Sequence, residues 1–99
     1  MKRPVRVLRR AQLDLLEIQA YLLRDDPAAT TRLINQLVAE LERLATLPSR
    51  GARPRDERLR KAGYRYVVRG QYLIFYKVLR SYVRVYRVLH GRRMYRDLL

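Results

Sequence analysis

Apolar and basic residues alternate over Val5–Leu8, the period of a short half-buried strand, and then the spacing changes. From Arg10 to Arg24 the apolar side chains Ala11, Leu15, Ile18 and Leu22 recur at helical intervals, with Asp14, Glu17 and Tyr21 on another side, which predicts a first helix. Leu13, Leu16, Ala20 and Leu23 widen its apolar surface beyond one face, so this helix is expected to pack against two things. The run Asp25-Asp26-Pro27 closes it and opens the next: the Asp26 carboxylate is placed to cap orphan amides, and Pro27 takes the first helical position, where its missing donor is harmless. Ile34, Leu37, Val38, Leu41, Leu44 and Ala45 form one face of this second helix until Leu47 and Pro48 end it. Two helices joined so closely make a hairpin. The following stretch SRGARPRDERLRKAG reads as a polar loop of about 15 residues, a length that in compact domains is often functional or mobile.

The remainder is strand-like. The runs YRYVVR (64–69), QYLIFYKVL (71–79) and SYVRVYRVL (81–89) are rich in β-branched and aromatic residues and are divided by turns at Arg69-Gly70 and Arg80-Ser81. The middle run is apolar on both faces and is expected at the sheet's centre. The last alternates Val83, Val85 and Leu89 against Arg84, Tyr86 and Val88, with Arg87 interrupting the first set. The fold class expected is α+β, in one domain over residues 1–99: a short N-terminal strand, an α-helical hairpin and a three-stranded antiparallel meander.

Composition narrows the function classes. With 48% apolar and 32% charged residues the chain is neither disordered in character nor membrane-spanning, since no apolar run approaches the roughly 20 residues a bilayer needs. The N-terminal MKRPVRVLRRAQ lacks the apolar core of a signal peptide, so a cytoplasmic location is expected. No cysteine and a single histidine leave no thiolate site and no zinc set, and neither metal nor cofactor is expected. Charge is uneven: residues 1–49 carry 8 basic and 6 acidic groups, net +2, whereas residues 50–99 carry 15 and 3, net +12. Such a field suits phosphate backbones or an acidic protein partner without choosing between them.

Residues as well as element order resemble the RelE/ParE superfamily of toxins from type II toxin-antitoxin systems. AQLDLLEIQAYL (11–22) resembles the family's first helix in Ala11, Asp14, Leu15, Ile18 and Tyr21; LINQLVAELERLATLPSRG resembles the second helix and its proline-glycine exit; YLIFYKV resembles the central strand. VYRVLHGRR resembles the tail of ParE members in particular, although Met94 stands where such tails often carry an aspartate. The resemblance covers essentially the whole chain and implies one of two activities. ParE members poison DNA gyrase through protein contact, and RelE members are ribosome-dependent mRNA endonucleases that need a proton acceptor, cations for the phosphorane and a donor for the leaving oxygen.

On the nuclease pattern Arg65 and Arg93 fill basic positions, but Val67 and Leu73 stand where two further cations belong, and the C-terminal aromatic position falls near Leu99, leaving Tyr95 as a substitute. A nuclease would therefore rest on Arg65, Arg93, Tyr95 and His90. The reading favoured is a non-enzymatic ParE-like gyrase inhibitor neutralised by a cognate antitoxin with an acidic binding segment, for which Arg65, Arg69, Arg92, Arg93 and Tyr95 are candidate partner contacts. Tyr64, Tyr66, Tyr72, Tyr76, Tyr82 and Tyr86 interleave with arginines in a way that suits base stacking, but strand periodicity favours packing, and direct nucleic-acid binding is the less favoured use of the charge. Asp14, Glu17 and Glu40 are read as solvated helix-face carboxylates rather than acid-base pairs.

Overall fold

The computed structural model describes residues 2–99. In chain order its elements are β1 (Val5–Val7), α1 (Arg9–Leu22), α2 (Pro27–Arg43), α3 (Glu57–Lys61), β2 (Tyr64–Arg69), β3 (Tyr72–Val78), β4 (Val83–His90) and a 3-10 turn over Tyr95–Asp97. The strands form one sheet in the order β1-β4-β3-β2, antiparallel except for β1, which runs parallel to β4. The helix hairpin covers one face. Ala11, Leu37, Leu41 and Leu44 meet Val67, Ile74, Tyr76, Val83, Val85 and Val88 there in a continuous core.

The expected α+β order of strand, hairpin and meander is the order observed, with local differences that have local causes. Asp26 caps α2 by accepting from the Ala29 amide at 3.0 Å. A second aspartate does the same inside the stretch expected to be a loop: Asp56 accepts from the Leu59 amide at 3.0 Å, Leu59 is buried, and α3 forms. The first helix runs from Arg9 to Leu22 and the last strand begins at Val83, so the turn expected at Arg80-Ser81 extends from Leu79 to Tyr82, whose carbonyl accepts from the Leu79 amide at 2.8 Å. Gly70, at φ +58, supplies the left-handed backbone that a two-residue hairpin loop between Arg69 and Tyr72 requires. The interruption at Arg87 is a β-bulge: Phe75 pairs with Arg87 and Tyr76 with Val85, so Tyr86 has no partner and the alternation shifts phase. Val88 thereby joins Val83 and Val85 on the helix side.

Two of the three carboxylates expected in solvent are buried, Asp14 and Glu40 each being 4% exposed; Glu17 does face solvent. The reason is the end of β1. It pairs only with Val83–Val85, so the β4 edge beyond would present an unpaired amide at Val88. Asp14 accepts from that amide at 2.9 Å and from Arg87 at 2.8 Å (Nε) and 3.0 Å (Nη2). Arg87, 7% exposed, also donates to the Leu98 carbonyl at 3.2 Å, which ties the tail to the same point. Glu40 is surrounded in the same way by Arg50, Arg43 (3.5 Å) and Arg69 (3.8 Å). A buried charge is tolerable only when paired this fully. Asp14→Ala is expected to cost about 3–5 kcal/mol in chemical denaturation by stranding Arg87, and the added change Arg87→Met to return much of that loss.

Candidate functional site

β4 delivers its last residue, His90, beside Tyr72 of β3, with the two rings edge-on at 5.4 Å. The ladder closes one residue later, where the Gly91 amide donates to the Gln71 carbonyl at 2.8 Å. The chain then turns back on itself: the Arg93 amide donates to the His90 carbonyl at 2.9 Å, and the Arg92 amide donates to His90 Nδ1 at 3.1 Å. A backbone amide can only donate, so Nδ1 holds the lone pair and Nε2–H donates to Gln71 Oε1 at 2.9 Å. Both ring nitrogens are engaged. Between this corner and α1 lies an open cleft of about 500 Å³ lined by Glu17, Ile18, Tyr21, Tyr72, His90 and Arg93, among others. Burial and the nearby Tyr21 raise the Tyr72 pKa, so its phenol stays protonated there.

The other sequence-predicted residues do not converge on this cleft. Arg65 pairs across the strands with Tyr76, on the helix side, and its guanidinium donates to the Gly51 carbonyl at 3.0 Å and the Ser49 carbonyl at 3.4 Å. It lies two strands across and about four residues along from His90, roughly 16 Å at the spacings of a sheet. Arg69 is turned toward Glu40. Tyr95 is on the opposite face of the sheet, its ring 4.9 Å from that of Phe75, beside a second depression of about 380 Å³ formed with Arg55, Asp56, Met94 and Arg96. Of the five basic or aromatic positions named for partner contact, Arg92 and Arg93 are exposed, with no carboxylate within 4 Å among the described residues. Val67 is buried in the core and Leu73 is half-buried opposite Leu89.

What sequence reasoning missed is the clamp on the segment after α2. Tyr76, buried at the sheet's centre, donates its hydroxyl to the Pro48 carbonyl at 2.7 Å and accepts from the Gly51 amide at 2.9 Å. Only glycine fits at position 51, because a Cβ there would lie 2.8 Å from the Tyr66 carbonyl oxygen. Ala52 then bridges Tyr66 on the outer edge of β2. The second apolar stripe of α1 meets nothing in this chain: Leu16 is 59% exposed and Leu13 and Leu23 are also open, so α1 carries an uncovered apolar strip on its outer side, while Tyr21, likewise exposed, lines the cleft.

A sheet of four strands backed on one face by a helix hairpin, with a basic tail folded over the end of its last strand, is a fold of the RelE/ParE type. The profile of the ParE toxins of type II toxin-antitoxin systems, parDE, matches residues 5–95, and the chain belongs to that family. Among solved structures it is similar to a chain of the chromosomal ParDE toxin-antitoxin system from P. aeruginosa, with a TM-score of 0.74 at 18% identity over 90% of this chain and 96% of that one. It is also similar to a chain of the RelBE2 toxin-antitoxin complex from Mycobacterium tuberculosis, with a TM-score of 0.62 at 24% identity over 91% and 99% of the two chains. A search of curated proteins gives no match.

The clamp makes a measurable prediction. Burial raises the Tyr76 pKa above the ordinary 10.0, so the unfolded chain ionises first; the stability linked to this group is present below that pH and is lost as pH rises through the folded value. Tyr76→Phe is expected to cost about 1–3 kcal/mol at neutral pH, from the Gly51 and Pro48 groups left without a partner. Denaturation curves of this variant should also fall less steeply with alkali than those of the parent.

Proposed function

We propose that this protein is a ParE-like toxin that inhibits DNA gyrase by binding it and is neutralised by a cognate antitoxin. The observation that carries the reading is the dispersal of the nuclease set. Arg65 spends its guanidinium on two loop carbonyls, Tyr95 stacks on the far face, and the His90 ring has both nitrogens engaged. General acid-base chemistry on a ribose hydroxyl needs its groups within hydrogen-bond reach of one substrate. Two of the cation positions hold Val67 and Leu73 instead. Binding, by contrast, has surfaces to use: the exposed apolar strip of α1 and the open cleft beside it.

The solved relatives come from toxin-antitoxin complexes, which supports an antitoxin partner here. In this reading Arg92 and Arg93, exposed and without a carboxylate within 4 Å among the described residues, with Arg93 lining the cleft, take the acidic side chains of that partner as bidentate pairs. Arg65 serves instead to hold the loop, Arg69 to pair with Glu40 of α2, and Tyr95 to seat the tail on Phe75.

Supercoiling by purified gyrase, measured beside cleavage of ribosome-bound message, tests the proposal. Loss of supercoiling with intact message is the expected result; message cut at codon positions with unaffected gyrase would overturn it. Arg93→Ala is expected to weaken antitoxin binding by about 2–5 kcal/mol if its pair is buried, and to leave inhibition of the target graded rather than abolished.

A further inference from the structure

The face of the sheet turned away from the helices carries an arrangement that packing does not explain. Arg6 of β1, Arg84 of β4 and Lys77 of β3 occupy one continuous cross-strand register, which ends on Tyr64 of β2. Neighbouring strands lie about 4.8 Å apart, so three cations stand side by side in a single row. Like charges directly opposite one another destabilise a sheet. No carboxylate lies within 4 Å of any of the three among the described residues.

Tyrosines take the place of counter-ions. Arg6 lies 4.5 Å from the centre of the Tyr82 ring, and Lys77 lies 4.4 Å from that of Tyr64 and 5.1 Å from that of Tyr86. Arg84 donates to the hydroxyls of both Tyr86 and Tyr82, and these bonds raise its pKa and keep it charged. Each phenol oxygen that accepts from Arg84 keeps its own O–H available to donate, so the cluster combines positive charge with hydroxyl donors. This is the chemistry of an anion receptor laid across four strands.

We propose that the row Arg6–Arg84–Lys77 binds the phosphate backbone of duplex DNA. A row of charges suits a polyanion better than a single ion, and a duplex has the highest charge density of the available backbones. All three rings already carry a cation, which competes with stacking by unpaired bases and favours a ligand held through its phosphates. Contacts of this kind position the protein without reading sequence. The inference does not rest on the gyrase reading, because the duplex in its test is free.

Fluorescence anisotropy of a short labelled duplex, followed over a range of salt, tests it on the intact protein. The double variant Arg6→Gln/Lys77→Gln is expected to lower the slope of log affinity against log salt by about 2, at roughly 0.9 for each phosphate no longer neutralised, and affinity at low salt by an order of magnitude or more. Arg24→Gln/Arg32→Gln removes the same charge from exposed positions on the helix side and should leave the slope unchanged. Equal losses in the two variants would overturn the proposal, since net charge alone would then account for binding. A polyglutamate peptide displacing the duplex at lower concentration than unlabelled duplex would also overturn it and make the row a receptor for acidic protein. Arg6→Gln alone, at an exposed position, keeps the test valid should the double variant fold poorly.

Discussion

The carboxylate of Asp14 fixes how distant parts of the chain meet. It belongs to the first helix, yet its partners are the guanidinium of Arg87 and the amide of Val88, in the last strand. Through Arg87 the same point secures the tail at Leu98. Hydrophobic contact brings the hairpin onto the sheet, but it is non-directional and tolerates sliding. The four-way pairing fixes where α1 stops relative to β4, and it replaces the ladder that β1 is too short to continue. The cleft beside His90 owes its walls to that placement, since Ile18 and Tyr21 follow Asp14 by one and two turns of the same helix.

Much of this was legible from spacing. The strand, the hairpin, the meander and the Asp26-Pro27 junction follow from periodicity and capping chemistry alone. The two buried carboxylates were legible in principle. Asp14 falls between Ala11 and Ile18 on the buried stripe, and Glu40 lies three residues after Leu37 and one before Leu41, so helical spacing points both inward. Grouping Asp14 with Glu17 and Tyr21 puts it one position away from the stripe to which it belongs, and that difference separates a solvated carboxylate from a buried one. Arg87 was the matching clue, a cation interrupting a strand's inward set, which needs a carboxylate partner. What spacing does not contain is the bulge at Tyr86. A one-residue change of phase depends on how two strands settle against each other, and only after it do Val88 and His90 face α1.

For the candidate site the balance is different. The residues that suggested chemistry, His90, Arg93, Tyr95 and Arg65, are close in the pattern of a family but distributed over two faces and two ends of one sheet. A strand's alternation predicts which face a side chain takes; it says nothing of what a turn after the strand does, and the tail crosses from one face to the other between Arg93 and Tyr95. Conversely, the row of cations on the open face is invisible to a reading along the chain. Arg6, Lys77 and Arg84 are isolated residues in three separate strands, and they become neighbours only through register.

The parallel pairing of β1 with β4 has a further consequence, for the order of events when the protein is made. The first strand and the first helix both find their partners in residues 83–88, with the Asp14–Arg87 contact spanning 73 positions. Contacts of such long range form late and slowly, because loop closure must precede any gain from them. A nascent chain lacking its last fifth has its helices but no β4 for them to pack against. Its cleft, its row of cations and its tail then arise together, in the final moments of synthesis.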